Sequence, residues 1–177
     1  EWARDHGCCM TSIGRWSARI GNLDMLKWSK VNNIPWKRWT CEIAAQGGHL
    51  EVFEWAHTEG CDWDELWVCM FASQHGHLNV LKWLNDNGYT RHNKWICVWA
   101  IQYGHLPAVK WAYDTLGKPK YDLLWIACDY NQLEVLKWLY SNKKSPLWQD
   151  KALLMLHAKK KNYLHIVQWI DEECAES

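Results

Sequence analysis

Gly76-His-Leu-Asn-Val-Leu-Lys-Trp83 is the stretch of sequence that decides the fold, because the chain repeats it. Three close copies begin at Gly21, Gly48 and Gly104, and two less similar copies begin at Asn131 and Asn162. The tryptophans that close the six copies are separated by 27, 28, 28, 27 and 31 residues. A fixed period of this length is typical of proteins built from stacked repeats.

Each repeat is predicted to contain two helices. In and just after the quoted stretch, Leu78, Leu81 and Leu84 recur at three-residue steps, which predicts a helix that we call helix B. The preceding segment, 64–75, also has helical spacing and has acidic residues in its first turn; we call it helix A. A left-handed glycine such as Gly76 can end helix A, and Gly60, Gly88 and Gly117 can end helix B. The repeat is therefore helix, tight turn, helix and short loop.

This organisation predicts an all-α chain that forms a single repeat array over residues 1–177. Residues 1–7 match the end of a helix B, which indicates that the chain begins inside a longer array. Six helix pairs are expected at about 8–33, 34–60, 61–88, 89–117, 118–143 and 144–177. In such arrays each repeat contacts mainly its neighbours.

The composition is that of an ordinary globular protein, apart from 16 tryptophans. Lys and Arg total 20 against 20 Asp and Glu, so no overall charge draws the chain to nucleic acid or anionic membranes. No apolar run approaches the roughly 18 residues of a membrane span. We therefore expect an intracellular protein, cytoplasmic or nuclear, with reduced cysteines and no membrane insertion.

The string Ala44-Ala-Gln-Gly-Gly-His-Leu-Glu-Val52 resembles the ankyrin consensus around its helix–turn–helix. More closely, Gly60-Cys-Asp-Trp-Asp-Glu-Leu-Trp-Val-Cys69 followed by Gly76-His-Leu is similar to the short, tryptophan-rich ankyrin-like repeats of protists and large DNA viruses. The resemblance implies a solenoid of stacked helix–turn–helix repeats. The ankyrin Thr-Pro-Leu-His element is absent, and the period falls about five residues short of roughly 33. We therefore expect short loops and little or no β-hairpin.

The resemblance also implies which residues contact a partner. In ankyrin repeats, the two residues after the Ala-Ala pair of helix A face a concave groove and vary to suit the ligand. The matching positions here are polar or aromatic: Arg19, Gln46, Gln74, His75, Gln102, Tyr103, Asp129 and Tyr130. Three loop tryptophans are further candidates, because no helical packing accounts for them: Trp36, Trp63 and Trp148.

Two periodic sets of tryptophans are interpreted as packing between repeats. One set lies on helix B: Trp28, Trp55, Trp83, Trp111, Trp138 and Trp169. The other lies at the start of helix A: Trp39, Trp67 and Trp95. Large flat side chains fill the space between repeats efficiently, although platforms for nucleic-acid bases are the alternative interpretation.

Cysteines and histidines recur with the same period, since Cys41, Cys69 and Cys97 are 28 residues apart and His49, His77 and His105 likewise. Equivalent positions in stacked helices lie roughly 8–10 Å apart. That spacing is too long for a disulfide or for shared zinc ligands at about 2.0–2.3 Å. We therefore expect no metal site and no cofactor. Instead, the cysteines are predicted to be buried, and the histidines to hold the turn before helix B.

The leading hypothesis is a protein–protein interaction scaffold that uses helix A and the inter-repeat loops and has no small-molecule substrate. A fixed structural subunit of a large assembly is the alternative. Nucleic-acid binding is less favoured: residues 117–161 contain nine lysines, spread over several loops, and no arginine. No enzyme is expected, because the sequence has no Gly-rich phosphate loop, His-Glu-x-x-His or Gly-x-Ser-x-Gly motif.

Overall fold

Twelve α-helices and no β-strand form from the residues that the structure describes. The structure is a computed structural model, and it describes residues 12–36, 39–89, 91–117, 122–142 and 151–175. The helices are α1 (Ile13–Ile20), α2 (Leu23–Val31), α3 (Trp39–Gln46), α4 (Leu50–Thr58), α5 (Glu65–Gln74), α6 (Leu78–Asp86), α7 (Asn93–Gln102), α8 (Leu106–Thr115), α9 (Leu123–Asp129), α10 (Leu133–Ser141), α11 (Lys151–Lys160) and α12 (Leu164–Ala175). The prediction of an all-α chain is confirmed.

The helices fall within the six intervals that the sequence assigns to helix pairs. Odd-numbered helices correspond to helix A and even-numbered helices to helix B. The partial repeat at residues 1–7 lies outside the described residues.

A left-handed residue joins the two helices of each pair, as the sequence predicts. At Gly48, where φ is 71°, the His49 amide donates to the Ala44 carbonyl at 2.9 Å and the Gly48 amide donates to the Ala45 carbonyl at 3.1 Å. These bonds satisfy carbonyls that the end of α3 leaves without helical partners. The equivalent residues are also left-handed: Gly21, Gly76, Gly104, Asn131 and Asn162. Asparagine tolerates this conformation better than most residues, so the less similar copies keep the turn.

The chain divides into two compact units, residues 1–92 and residues 93–177. In the first unit, α1 packs against α3 and α3 against α5, while α2 packs against α4. In the second unit, α7 packs against α9 and α9 against α11, while α8 packs against α10. Within each unit, the A helices of successive pairs are therefore side by side. The single array over the whole chain stays a prediction.

In the pair formed by α5 and α6, the core uses large aliphatic side chains on helix B and mostly small ones on helix A. Val80, Leu81 and Leu84 of α6 are buried, and burial of each such side chain contributes about 1.5–3 kcal/mol. The inner side of α5 instead has small residues, including Ala72 and Ser73. Small side chains allow neighbouring A helices to approach closely. The predicted burial of three periodic cysteines is confirmed: Cys41, Cys69 and Cys97.

Polar side chains at the start of helix B bond to the preceding pair within each unit. The Nε2 atom of His49 lies 3.1 Å from the Arg19 carbonyl oxygen, and that of His77 lies 2.8 Å from the Gln46 carbonyl oxygen. A carbonyl oxygen only accepts, so each Nε2 carries the proton. In the second unit, the Gln132 side-chain amide donates to the Gln102 carbonyl at 3.0 Å. These side chains therefore link successive helix pairs within each unit.

Candidate functional site

A row of aromatic side chains lies on the outer side of α5. Trp67, Phe71 and His75 follow one another at four-residue steps, which places them on one face of the helix. The Trp67 and Phe71 rings stack with centroids 5.7 Å apart and an interplanar angle of 30°. Trp67 is 43% exposed, and His75 is exposed while its Nδ1 lies 2.9 Å from the Phe71 carbonyl oxygen. The row is therefore both ordered and accessible.

The neighbouring A helices carry large apolar residues at equivalent positions. Trp39 begins α3 at the position of Trp67 and is 42% exposed. On α1, Trp16 occupies the position of Phe71, and Ile20 occupies the position of His75; both are exposed. Because α1, α3 and α5 are side by side, these residues belong to one surface. We call it the first-unit face: Trp16, Ile20, Trp39, Trp67, Phe71 and His75.

Exposure of Trp39 and Trp67 corrects the interpretation of the helix A tryptophans as packing, which is wrong for these two residues. Their α3 and α5 positions point away from the small residues that contact the neighbouring A helices. Trp95, the third member of that set, is half-buried and stacks on Trp99 with centroids 6.4 Å apart.

The second unit has a comparable surface on its own A helices. Tyr103, just after α7, is 55% exposed, and Tyr130, just after α9, is 45% exposed. The Gln102 side-chain amide donates to the Tyr130 hydroxyl at 3.0 Å, which holds that phenol in place. Trp125 of α9 is also exposed and lies against the His157 ring at a centroid distance of 4.4 Å. We call these residues the second-unit face: Tyr103, Trp125 and Tyr130.

The eight positions implied by the ankyrin resemblance lie at the ends of A helices, and none is buried. Four of them are exposed: Arg19, His75, Tyr103 and Tyr130. The other four are half-buried: Gln46, Gln74, Gln102 and Asp129. Only His75, Tyr103 and Tyr130 also belong to the two faces defined above.

Asp129 is held by a lysine and a histidine side chain within the second unit. Its Oδ1 lies 3.1 Å from Nζ of Lys161 and 3.0 Å from Nε2 of His157. Hydrogen bonding to Lys161 is the largest effect on Asp129 and lowers its pKa below the ordinary value of 3.8; burial, the second largest, opposes this, and a hydrogen bond to His157 adds to the lowering. Asp129 in turn raises the pKa of Lys161. The carboxylate is therefore engaged with its neighbours.

Two of the loop tryptophans pack inside the first unit. The Trp36 indole N–H donates to the Ser29 hydroxyl at 2.8 Å, and its ring meets Trp55 edge-on at a centroid distance of 5.2 Å. The Trp63 indole N–H donates to Nδ1 of His57 at 3.1 Å. Both rings therefore hold a loop against helix B and pack within the first unit. Trp148 lies outside the described residues.

Five of the six tryptophans of helix B are more buried than Trp39 and Trp67 of helix A. Trp55, Trp83, Trp111 and Trp138 are half-buried, and Trp169 is buried. Their interpretation as packing is therefore supported. Trp28 is the exception, because it is 45% exposed on α2.

Other kinds of site have little support in the described part of the chain. No group of three or more His, Cys, Asp or Glu side chains there is placed to share a metal ion. No described helix is both long enough and apolar enough to cross a membrane. One open cleft, of about 440 Å³, is lined by residues that include Lys30, Trp36, Glu59, Cys61 and Asp62. Lysines 118, 120, 143 and 144 lie outside the described residues.

Comparison with known proteins yields no family for this chain. No family model matches it, and no curated protein has significant similarity to it.

Proposed function

We propose that this chain is an ankyrin-like repeat module that binds a protein partner through the first-unit face. Exposure of Trp39 and Trp67, each above 40%, is the observation that carries the proposal. Exposed tryptophans on adjacent ordered helices are costly to leave in water and are typical of binding hot spots. The partner is expected to present apolar side chains that insert between the two rings.

Polar groups at the edge of this face suit it to a protein partner. Gln46 is the last residue of α3 and Gln74 is the last residue of α5, beside the aromatic row, and His75 is the polar member of that row. A central apolar patch with a polar rim is the usual anatomy of a protein interface. Since the face is built on helices, binding requires little ordering of the backbone, which favours affinity.

The second-unit face is proposed as a further contact. Tyr103 and Tyr130 offer large amphipathic rings, and the Gln102 bond restrains one of them before binding. A restrained tyrosine loses less conformational entropy on binding than a free one.

A fixed subunit of a large assembly is the second candidate function. It is favoured by aliphatic side chains that are more than half exposed on α11 and α12, namely Leu153, Leu156 and Leu164. Permanent burial in an assembly would cover such residues. A purified chain that forms one stable oligomer at all accessible concentrations supports this candidate, whereas a monomer that captures a partner supports the first.

Substitution of single tryptophans tests the proposal. The unchanged chain is first used as bait in extract of its native cells, and the partner that it recovers is identified by mass spectrometry. The Trp67→Ala and Trp39→Ala variants are then used as bait in the same extract. Each change is expected to weaken binding of that partner by about 2 kcal/mol, which is roughly a thirtyfold increase in Kd and is typical of a hot-spot residue. The Kd is then measured with the purified partner.

Trp28→Ala is the matched control, because Trp28 has the same residue type and similar exposure but lies on helix B. It is expected to leave the Kd unchanged. If Trp28→Ala and Trp67→Ala weaken binding equally, or if neither does, the first-unit face is not the contact. Tyr103→Ala and Tyr130→Ala test the second-unit face in the same assay. Circular dichroism establishes that each variant keeps its helices.

A further inference from the structure

Two cysteines of one helix pair contact each other in the first unit. Cys41 lies in the first turn of α3, and Cys61 lies in the loop that follows α4. The Cys41 Sγ is 4.0 Å from the Cys61 carbonyl oxygen, and the Cys61 Sγ is 3.6 Å from the Asp62 carbonyl oxygen; interaction between the two cysteine side chains shifts the pKa of each. Both are free thiols. The fold therefore brings together two cysteines that are 20 residues apart in sequence.

The repeat itself does not require this pairing. In the pair before it, the two equivalent positions are Gly14 and Ile34; in the pair after it, they are Cys69 and Tyr89. A cysteine on helix A is thus compatible with a bulky phenol in the loop, and the loop position accepts an aliphatic residue. Only the α3–α4 pair has a thiol at both positions. Stacking of the repeats therefore leaves the second thiol unexplained.

The two thiols differ in access to solvent. Cys61 is 8% exposed and lines the cleft of about 440 Å³ together with Lys30 and Asp62, whereas Cys41 is fully buried behind it. Lys30 is fixed at this cleft by a hydrogen bond of 3.0 Å to the Glu59 carbonyl oxygen. A small uncharged oxidant that enters the cleft reaches Cys61 first.

The two thiols also differ in acidity. The hydrogen bond from Cys41 lowers the pKa of Cys61, against an opposing effect of burial. The same bond, followed by burial, strongly raises the pKa of Cys41, which therefore stays a thiol. Burial, with a smaller contribution from a nearby carboxylate in each case, raises the pKa of Cys69 to about 12 and that of Cys128 to about 11. Since the thiolate is the nucleophile, Cys61 is the most reactive of these four residues.

We propose that Cys61 is a modification site for hydrogen peroxide or an organic peroxide, and that Cys41 converts the oxidised Cys61 into an intramolecular disulfide. In the first step the Cys61 thiolate attacks one peroxide oxygen, the O–O bond breaks, and the leaving oxygen takes a proton to form water or an alcohol. Cys61 is then a sulfenic acid. In the second step the Cys41 sulfur attacks the Cys61 sulfur, the S–O bond breaks, and water leaves with the Cys41 proton. The two thiols are oxidised, and the peroxide is reduced by two electrons.

The experiment uses the full chain with Cys8, Cys9 and Cys174 each changed to Ser, so that the only thiols left are those of the five buried cysteines. This protein is treated with an equimolar amount of hydrogen peroxide and digested without reductant. Mass spectrometry is expected to find a Cys41–Cys61 peptide that lacks two hydrogens relative to the thiols. Oxidation that occurs first at another cysteine, or at none, overturns the proposal.

Replacement of each thiol separates the two steps. Cys41→Ser removes the resolving thiol, so Cys61 sulfenic acid should persist and be labelled by dimedone, a reagent specific for that oxidation state. Cys61→Ser should abolish both the label and the disulfide. Cys69→Ser is the matched control on the equivalent helix position, and it should leave the disulfide unchanged. Dimedone label at Cys69 that equals the label at Cys61 overturns the assignment.

A second measurement does not depend on any substitution in the pair. Iodoacetamide is added to the folded protein at pH 7, and the alkylation of each cysteine is followed over time. Cys61 is expected to react at least about tenfold faster than Cys69, because thiolate fraction and access both favour it. Equal alkylation rates of Cys61 and Cys69 would refute the assignment of Cys61 as the reactive thiol, even if the Cys41→Ser variant fails to fold.

Discussion

Gly48→Ala tests whether the turn residue also leaves room for the histidine that connects one helix pair to the next. Gly48 joins α3 to α4 with φ at 71°, a conformation that L side chains rarely adopt. A Cβ atom added there would lie 2.7 Å from Cε1 and 2.8 Å from Cγ of His77. The same imidazole bonds to the Gln46 carbonyl oxygen at 2.8 Å. The methyl group therefore strains the backbone and displaces a ring from the next pair.

The two effects have different magnitudes. A left-handed alanine costs about 1–2 kcal/mol relative to glycine. Loss of the His77–Gln46 hydrogen bond costs about 1 kcal/mol more. We therefore expect Gly48→Ala to lower the free energy of unfolding by about 2–3 kcal/mol. Gly60→Ala is the matched control: φ is 80° there, but an added Cβ meets no atom within 4 Å, so only the backbone cost of about 1–2 kcal/mol applies.

Urea unfolding followed by circular dichroism measures both variants, together with His77→Ala and the double variant. Because the hydrogen bond can be lost only once, Gly48→Ala with His77→Ala should cost less than the sum of the single changes. Equal destabilisation by Gly48→Ala and Gly60→Ala would refute the steric part of the reasoning. Strict additivity in the double variant would refute the coupling to His77.

Two further predictions concern polar contacts of the two units. Trp63→Phe keeps a ring against α4 but removes the indole N–H that donates to His57, so it should lower the free energy of unfolding in urea by about 1 kcal/mol; the exposed Trp28, changed to Phe, should have no effect, and an equal loss would contradict the assignment. Asp129→Asn should lower Tm at pH 7, because a lowered pKa means that the ionised carboxylate stabilises the fold. That contribution is present above the ordinary value of 3.8 and is lost as the pH falls below it through the folded-state pKa, so the Tm difference should disappear in acid. A difference that persists at the lowest pH would mean that the charge of Asp129 is not its cause.

Turn chemistry explains why the pairs could be predicted from the sequence. A left-handed residue interrupts each helical pattern at one place, and only glycine and asparagine occupy that place in this chain. The resulting bonds are local, as at Gly48 and His49, so they depend on a few consecutive residues. The all-α fold follows from the same local pattern.

Exposure of the helix A tryptophans could not be read from periodicity, because helix A is apolar on more than one side. In α5, Leu66 and Trp67 are exposed while Val68 and Cys69 are buried, although all four are apolar. Residue size is the signal that distinguishes the sides. Close packing between A helices requires small residues, so Ala72 and Ser73 mark the inner side and the largest rings lie opposite.

Loop position was a poor guide to Trp36 and Trp63 for a different reason. Helical periodicity predicts only which residues of a helix share a face. The two loop rings instead fold back against helix B, through hydrogen bonds between residues six and seven positions apart. Each indole N–H finds its acceptor on the helix that precedes the loop. A tryptophan eight residues after a helix B tryptophan, as in both cases, is the pattern that relates them.

The position occupied by Trp39 and Trp67 shows that the repeat does not need a tryptophan at the start of helix A. In the pairs that begin with α1 and α9, the same position holds Ser12 and Asp122, and the Asp122 carboxylate accepts from the Leu124 amide at 3.1 Å as a helix cap. A cap stabilises a helix start by about 1 kcal/mol, whereas an indole there contributes through the part of its surface that the fold covers. A serine or an aspartate is thus compatible with the repeat, so the fold does not require an indole at this position. Burial by a partner would recover what their exposure to water costs, which is why the first-unit face is the surface to test first.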